Sequence, residues 1–285
     1  MVTIPPVSIA ANLDRIRERI ARAAARAGRK PEEVTLVAVS KTFPAEAIRE
    51  AYAAGVRHFG ENRVQEWESK QPQLADLDAT WHLVGHLQSN KAARAARLFH
   101  SIDSVDSLAL AQRLDRAMSE LSPGFVPVVG GGHGVPVPTV GAQHSSRTQS
   151  RDAAPLQILI EVRLDPAATK SGVLESDLSG LAEAVLALPH LELRGLMGIP
   201  PFFDNPEHVR PYFRRLRDLR DSLRHHLVVV RCHSERSHAF QGRSEESLLC
   251  VLSMGMSHDF EIAIEEGASE IRLGTVLFGE RVSSK

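Results

Sequence analysis

The sequence of 285 residues contains few cysteines, few aromatic residues and almost no net charge. Its two cysteines, Cys232 and Cys250, cannot build a disulfide framework, which favours a reducing compartment. Lysine and arginine number 34 against 35 aspartates and glutamates, and the net charge of −1 excludes a generally basic nucleic-acid-coating surface. It equally excludes a strongly acidic disordered chain.

Long apolar runs are also missing. No stretch approaches the roughly 18 residues that would span a bilayer, and the start, MVTIPPVS, lacks the apolar segment of a secretory signal. We therefore expect a soluble, cytoplasmic protein with no membrane partner. At about 150 residues per domain the length allows one large domain or two small ones, and we predict a single domain over 1–285.

Apolar segments typical of buried strands alternate with amphipathic segments typical of helices. An additional helix begins at Ile9 after a candidate cap, Ser8, and ends near Gly28. Alternation of this kind requires parallel strands joined by helical crossovers. The predicted strands are 34–40, 56–60, 80–85, 98–103, 156–162, 191–199, 248–254 and 270–274.

Eight such units predict an α/β fold, a single (β/α)8 TIM-like barrel with an extra N-terminal helix and two loop insertions. The alternative is an open, doubly wound sheet. That fold would need a glycine-rich first turn for a dinucleotide, whereas VSKTFP after the first strand has no glycine.

The two insertions, 121–155 and 231–247, have neither helical periodicity nor a clear strand pattern, and we predict that both are disordered. Each follows a helix and precedes a strand. They should therefore lie on the face of the barrel opposite the functional site.

In a barrel of this type the functional site forms at the carboxyl ends of the strands. The first strand ends at Lys41, where apolar surroundings would lower the pKa of the amine and allow it to attack an aldehyde. The last two strands end in 253–257 and 272–275, whose small residues and free backbone N–H groups suit an anion. A simple glycine-assisted turn would also explain the first of these two segments.

Other tempting signals are weak. GGGHG at 130–134 lacks the Gly-Lys-Ser/Thr of a phosphate-binding loop. The spacing of His82 and His86 on a strand does not converge on a metal, and Cys232 with His233 lacks a second pair of zinc ligands. We predict no metal.

Long segments of the chain resemble the pyridoxal phosphate homeostasis proteins. The family is similar in fold to the barrel domain of alanine racemases. The resemblance implies that pyridoxal 5′-phosphate (PLP) is held as a Schiff base on Lys41, without established catalysis, in vitamin B6 and amino-acid homeostasis. The segments, in the family's order, are VAVSKTFP (37–44), HFGENRVQE (58–66), WHLVGHLQSNK (81–91), HSIDS (100–104), TKSG (169–172), GLMGIPP (195–201), LSMGMSHDFEIAIEEG (252–267) and IRLGTVLFGER (271–281).

The resemblance also assigns cofactor-binding residues. Arg272 would face the pyridine nitrogen, which weakens the ring as an electron sink. RLDPAA at 163–168 departs from the family's pattern at Arg163 and Ala167, so no role is assigned to those two residues. The phosphate would be held by Ser253, the backbone around Met254, Gly274 and Thr275, and the cofactor would be lined by Asn62, His82 and Met197.

Two further hypotheses compete with a PLP carrier. A PLP-dependent racemase or decarboxylase needs an acid or base on each face of the substrate. In racemases the second is a tyrosine of a C-terminal β domain, which we expect this chain to lack, and Tyr52 and Tyr212 lie in predicted outer helices. A Schiff-base aldolase would use Lys41 without PLP. We expect a monomer that binds PLP, with PLP-dependent apoenzymes as candidate recipients and no nucleic-acid partner.

Overall fold

Strands and helices alternate along the computed structural model, which describes residues 8–121, 154–165, 171–233 and 248–279. Within those residues eight strands form a closed barrel in sequential order, and each strand pairs in parallel with its neighbours. The predicted barrel is confirmed. The strands are β1 (Thr35–Val39), β2 (His58–Glu61), β3 (Thr80–Leu83), β4 (Ser101–Val105), β5 (Leu156–Val162), β6 (Leu191–Gly198), β7 (Val251–Ser253) and β8 (Glu270–Leu273).

Helices follow the strands and surround the barrel. The N-terminal helix begins as predicted, because the Ser8 side chain accepts a hydrogen bond from Ala11 N. Gly28 follows its end with φ +67°, a conformation that favours glycine. The helices are α1 (Ile9–Arg26), α2 (Ala45–Ala53), α3 (Val64–Lys70), α4 (Ala92–Leu98), α5 (Leu108–Leu121), α6 (Leu178–Leu186), α7 (Arg210–His233), α8 (Phe260–Glu265) and α9 (Thr275–Phe278).

Closure of the barrel depends on the pairing of β1 with β8. Val37 lies opposite Arg272, and Ala38 opposite Leu273. This register places the end of the first strand beside Gly274 at the end of the last. The two parts of the sequence that carry the predicted lysine and anion-binding segments are therefore neighbours.

Some predicted boundaries are wrong. The fourth strand is predicted at 98–103 but occupies Ser101–Val105, because Leu98 completes α4 and its carbonyl accepts a hydrogen bond from Trp67 Nε1 at 3.2 Å. Helix α7 continues to residue 233, three residues into a predicted insertion, because Leu223 and Leu227 continue its buried face.

The remainder of the two predicted insertions, residues 122–153 and 234–247, lies outside the described residues, so their predicted disorder stays a prediction. The flanking elements are as expected: α5 ends at Leu121 before the first segment, and β7 follows the second. Both segments join a helix to the start of a strand. No helix in the described parts of the chain combines the length and apolarity needed to cross a membrane.

The contact between β6 and β7 gives a test of the barrel. A Cβ atom at Gly195 would lie 1.8 Å from the Val251 carbonyl oxygen, so we expect Gly195→Ala to lower the free energy of unfolding by about 1–3 kcal/mol. Gly180 on the exposed face of α6 has open space where a methyl group would be added and is the matched control. Gly180→Ala should raise stability by about 0.5–1 kcal/mol. Urea denaturation of both variants measures the difference; equal stabilities would contradict the observed strand packing.

Candidate functional site

A cavity of about 490 Å³ opens at the carboxyl ends of the strands. Five of the nine residues predicted to bind the cofactor lie in its wall. These residues are Lys41, Asn62, Arg272, Gly274 and Thr275. The wall also contains Val39, Phe43, Val84, Gly85, His86, Glu161, Ser171, Ile199, Phe202, Met256, Ser257 and His258.

Lys41 stands in a short loop between β1 and α2. Ser40 closes the strand, with its N–H donating to the Gly60 carbonyl at 2.9 Å. Thr42, on the other side of the lysine, has φ 67°, a left-handed conformation that few residues other than glycine adopt. Contacts with residues outside the loop must therefore stabilise this backbone conformation.

Three side chains from β2 and α3 supply that support, and we call Glu61, Glu66 and Lys70 the lysine clamp. Lys70 Nζ donates to the Ser40 carbonyl at 3.0 Å, to Glu61 Oε1 at 2.9 Å and to Glu66 Oε1 at 2.8 Å. Glu66 Oε1 in turn accepts a hydrogen bond from the Thr42 N–H. The residues before and after Lys41 are thus both fixed by one ion-paired group.

The clamp is largely buried. The Glu61 side chain is fully buried and also accepts from Ser40 Oγ at 2.8 Å, and the Lys70 side chain is 11% exposed. Burial raises the pKa of Glu61, against the opposing charge of Lys70. Burial also acts to raise the pKa of Glu66, but hydrogen bonds from Lys70 and the Thr42 N–H outweigh it and hold that pKa below its ordinary value.

Arg272 lies at the base of the cavity, with 4% of its surface exposed. Its Nη1 donates to Ser253 Oγ at 2.6 Å and its Nη2 to the Gly198 carbonyl at 3.0 Å. Ser253 Oγ donates in turn to Glu270 Oε1 at 2.7 Å. Burial lowers the pKa of Arg272, and the nearby carboxylates of Glu270 and Asp103 oppose that shift.

This arrangement changes the place of two predicted anion ligands. Ser253 is fully buried and its hydroxyl joins Arg272 to Glu270, so it does not line the cavity. Met254 packs in the core and its N–H donates to the Glu270 carbonyl at 3.1 Å. The part of the same loop that reaches the cavity is Met256 with Ser257 and His258.

His82 and Met197 are likewise buried and do not line the cavity. His82 Nδ1 lies 3.1 Å from Asp103 Oδ2, and its Nε2 lies 3.1 Å from His58 Nδ1. Burial lowers the pKa of His82, but the charge of Asp103 prevails and raises it to about 9. Burial and the charge of His82 lower the pKa of His58 to about 4. A charged His82 can therefore donate to both neighbours.

One acid–imidazole grouping involves His82 but not His86, the histidine with which its spacing was compared. Ligand atoms of His82, Asp103 and Glu270 lie within 4.8 Å of one another, as in a metal site. Each of these residues already has a hydrogen-bond partner, Glu270 through Ser253 and His82 through both ring nitrogens. The grouping is thus accounted for as an internal polar network.

Glu161 is a cavity residue that sequence reasoning missed. Its Oε1 accepts from Ser171 Oγ at 2.7 Å, and its Oε2 is buried without a partner among the described residues. Burial raises its pKa. The available signal was an acidic residue inside LQILIEV, a mainly apolar strand.

Gly274 follows β8 and precedes Thr275, the first residue of α9. A Cβ atom at Gly274 would lie 3.3 Å from the Val39 carbonyl, a tight contact, so this position allows the backbone to approach a ligand closely. Ser257 Oγ accepts from the Val276 N–H at 3.4 Å and holds the two loops together. Hydroxyls, a glycine and first-turn N–H groups at one place suit an anionic group.

Comparison with known proteins relates this geometry to one family. Residues 11–257 match the family model of the alanine racemase N-terminal domain. The pyridoxal phosphate homeostasis protein of Aquifex aeolicus is 40% identical over 94% of this chain and 96% of its own length. The pyridoxal phosphate homeostasis protein of Pseudomonas aeruginosa is 41% identical over 96% of this chain and 96% of its own length.

Solved structures are also similar to this chain in fold. PipY of Synechococcus elongatus, with PLP bound, is 37% identical with a TM-score of 0.68, over 95% of this chain and 100% of that chain. An alanine racemase of Clostridium difficile shares only 11% identity, with a TM-score of 0.61 over 97% of this chain and 58% of that one. At that identity the racemase shows the fold alone.

The lysine clamp predicts a large loss of stability on removal of its cation. Lys70→Met leaves Glu61 as a buried, uncompensated carboxyl group, and we expect a loss of about 3–5 kcal/mol in the free energy of unfolding. The double variant Glu61→Gln/Lys70→Met should recover part of this loss, because the buried charge is then gone.

Arg49→Met is the matched control for this measurement. Arg49 pairs with Asp76 at the surface, where both side chains are well exposed, so its removal should cost under about 1 kcal/mol. Urea denaturation of the three variants gives the comparison. Similar losses for Lys70→Met and Arg49→Met would show that the clamp is not a buried ion pair.

Proposed function

The chain belongs to the family of pyridoxal phosphate homeostasis proteins, and we propose that it binds PLP covalently through Lys41. The Lys41 amine adds to the PLP aldehyde carbon, water leaves, and a carbon–nitrogen double bond remains, a Schiff base. The observation that carries the proposal is a lysine fixed by its neighbours in the wall of a cavity that also has an anion-suited end.

The residues present fit such a cofactor. Lys41, Arg272 and His258 offer positive or ionisable groups to an anionic molecule, in a cavity of about 490 Å³. We assign the phosphate to the loops at Ser257 and Gly274, together with Thr275. Ser253 and Met254 then act indirectly: the serine orients Arg272, and the methionine packs beneath the loop.

Arg272 is assigned to the ring nitrogen of PLP. PLP supplies an electrophilic carbonyl and a ring that can withdraw electrons. A guanidinium group stays protonated at ordinary pH and does not transfer a proton to the ring nitrogen. The ring nitrogen then remains unprotonated, and the ring is a weaker electron sink. Asn62 remains a direct contact, whereas His82 and Met197 support the wall from within the barrel.

We infer that the chain holds PLP without catalytic turnover, in PLP and amino-acid homeostasis. The names of the relatives at 40% and 41% identity support this role. Neither tyrosine lines the cavity: the Arg57 guanidinium lies over the Tyr52 ring, and the Tyr212 ring packs at a tilt against Phe203. Neither can act on a second face of a substrate there. PLP-dependent apoenzymes as recipients, a monomeric state and a single domain over 1–285 belong to the same proposal.

The attachment site is tested by borohydride reduction and peptide mapping. The reduced adduct should map to Lys41, and Lys41→Ala should lose the visible absorption band because the amine is gone. Lys91→Ala removes a lysine outside this cavity and should keep the band. Thermal melting of both variants checks that they fold. An adduct on Lys91 or Lys170 would overturn the assignment.

The absence of turnover is tested by exchange of the Cα proton. Alanine, serine and lysine in deuterium oxide should exchange no faster with the PLP-loaded protein than with free PLP, since no tyrosine stands at the site and Arg272 weakens the ring. Mass spectrometry and chiral chromatography measure exchange and racemisation. Multiple turnovers per minute that vanish in Lys41→Ala would instead establish a racemase or decarboxylase.

A further inference from the structure

A second cavity, of about 550 Å³, lies next to the first on the same face of the barrel. It is formed by the segments that follow β2 and β3, at the starts of α3 and α4. Residues of HFGENRVQE and WHLVGHLQSNK provide its walls. They are Asn62, Arg63, Val64, Gln65, Leu83, Gly85, His86, Leu87, Gln88 and Lys91.

The lining of this second cavity is polar and positively charged. Arg63 and Lys91 contribute cations, whereas no aspartate or glutamate is among the residues that line it. Over the part of the chain that the structure describes, neither cation forms a salt bridge within 4 Å. Neighbouring cations do form salt bridges: Lys70 with Glu61, and Arg94 with Glu68.

Hydrogen-bonding groups surround the two cations. Asn62, Gln65 and Gln88 bring side-chain amides, each able to donate and to accept. His86 is held from outside the cavity by Asp106, with Nδ1 and Oδ2 3.4 Å apart. Cations with amide donors are the groups that bind carboxylate and phosphate oxygens in proteins.

The two cavities share a thin wall. Asn62, Gly85 and His86 line both. A Cβ atom at Gly85 would lie 2.4 Å from the Asn62 carbonyl oxygen, so the two backbones are in direct contact and only glycine fits. The Gly85 carbonyl accepts a hydrogen bond from Ser104 Oγ at 2.7 Å, which fixes the wall from the side of β4.

We propose that the second cavity binds a small oxyanion, through Arg63 and Lys91, beside the PLP cavity. Its occupant contacts the wall that PLP contacts from the other side. This coupling rests on the proposed function, whereas the binding site itself does not. The oxyanion is a carboxylate or a phosphate group, and the two sources are separated by the choice of probe.

The test is calorimetric titration of the PLP-free protein with succinate and, separately, with inorganic phosphate, in buffers of matched ionic strength. We expect binding that weakens by about tenfold or more in Arg63→Gln/Lys91→Gln, because two charge-assisted contacts are lost. Arg97→Gln removes an exposed cation from α4 outside the cavity and is the matched control. Lys41→Ala removes the cation of the PLP cavity and should leave succinate binding unchanged.

Each result is decisive. Preference for succinate or for phosphate identifies the oxyanion, and either supports the site. Equal weakening in Arg97→Gln would reveal unspecific charge attraction, loss in Lys41→Ala would place the anion in the PLP cavity, and no binding by the wild-type protein would exclude the site. All three overturn the proposal.

The coupling is read from the absorption spectrum of the PLP-loaded protein. Saturating succinate or phosphate, whichever binds, should shift the spectrum in the wild-type protein and in Arg97→Gln but not in Arg63→Gln/Lys91→Gln. Calorimetric binding without a spectral shift would overturn the coupling alone. If no PLP is retained at Lys41, the proposed function fails, and the titration of the PLP-free protein still decides the second site.

Discussion

The site depends on how the backbone around Lys41 is held. Lys70 donates a hydrogen bond to the Ser40 carbonyl, and Glu66 accepts one from the Thr42 N–H. The loop is therefore fixed immediately before and after Lys41. A flexible strand end would let the amine sample many positions, and holding a reacting group in place is the main service that a scaffold provides. The lysine clamp uses a buried ion pair for this task, which hydrophobic packing could replace for stability but not for hydrogen bonding.

Closure of the barrel makes that fixed loop part of the wall of a cavity. Strand β8 pairs with β1, so that Arg272 lies opposite Val37 and lines the same cavity as Lys41 and Gly274. Barrel interiors are usually filled by branched apolar side chains. Here Ser253 links Arg272 to Glu270, and His82 is paired with Asp103. A buried guanidinium needs this compensation, because an unpaired charge would cost several kcal/mol.

Local sequence patterns predicted the parts of the site that lie at strand ends. Lys41 follows an apolar strand, and Gly274 opens the segment after the last one, so the rule for barrels finds both. Lys70 could not be found in this way: with Glu66 it has the spacing of an ordinary surface pair on a helix. Only the folded structure shows that Lys70 also donates to the Ser40 carbonyl and that Glu66 accepts from the Thr42 N–H. The position of Ser253 between Arg272 and Glu270 could not be predicted for a related reason, since Glu270 reaches it through the register of β7 with β8.

The rim of the cavity differs from its base. Phe202 is 75% exposed and, with Ile199 and Met256, borders the opening, whereas Arg272, Glu61 and Lys70 are buried. A protein that holds PLP must let it enter and leave as well as bind it. In the proposed attachment of PLP to Lys41, the fixed polar groups at the base orient the cofactor, and the exposed rim gives it access without rearrangement of the barrel. Retention of PLP and its entry therefore depend on different residues. A substitution at the rim can change the rate of entry without changing the affinity set by the base.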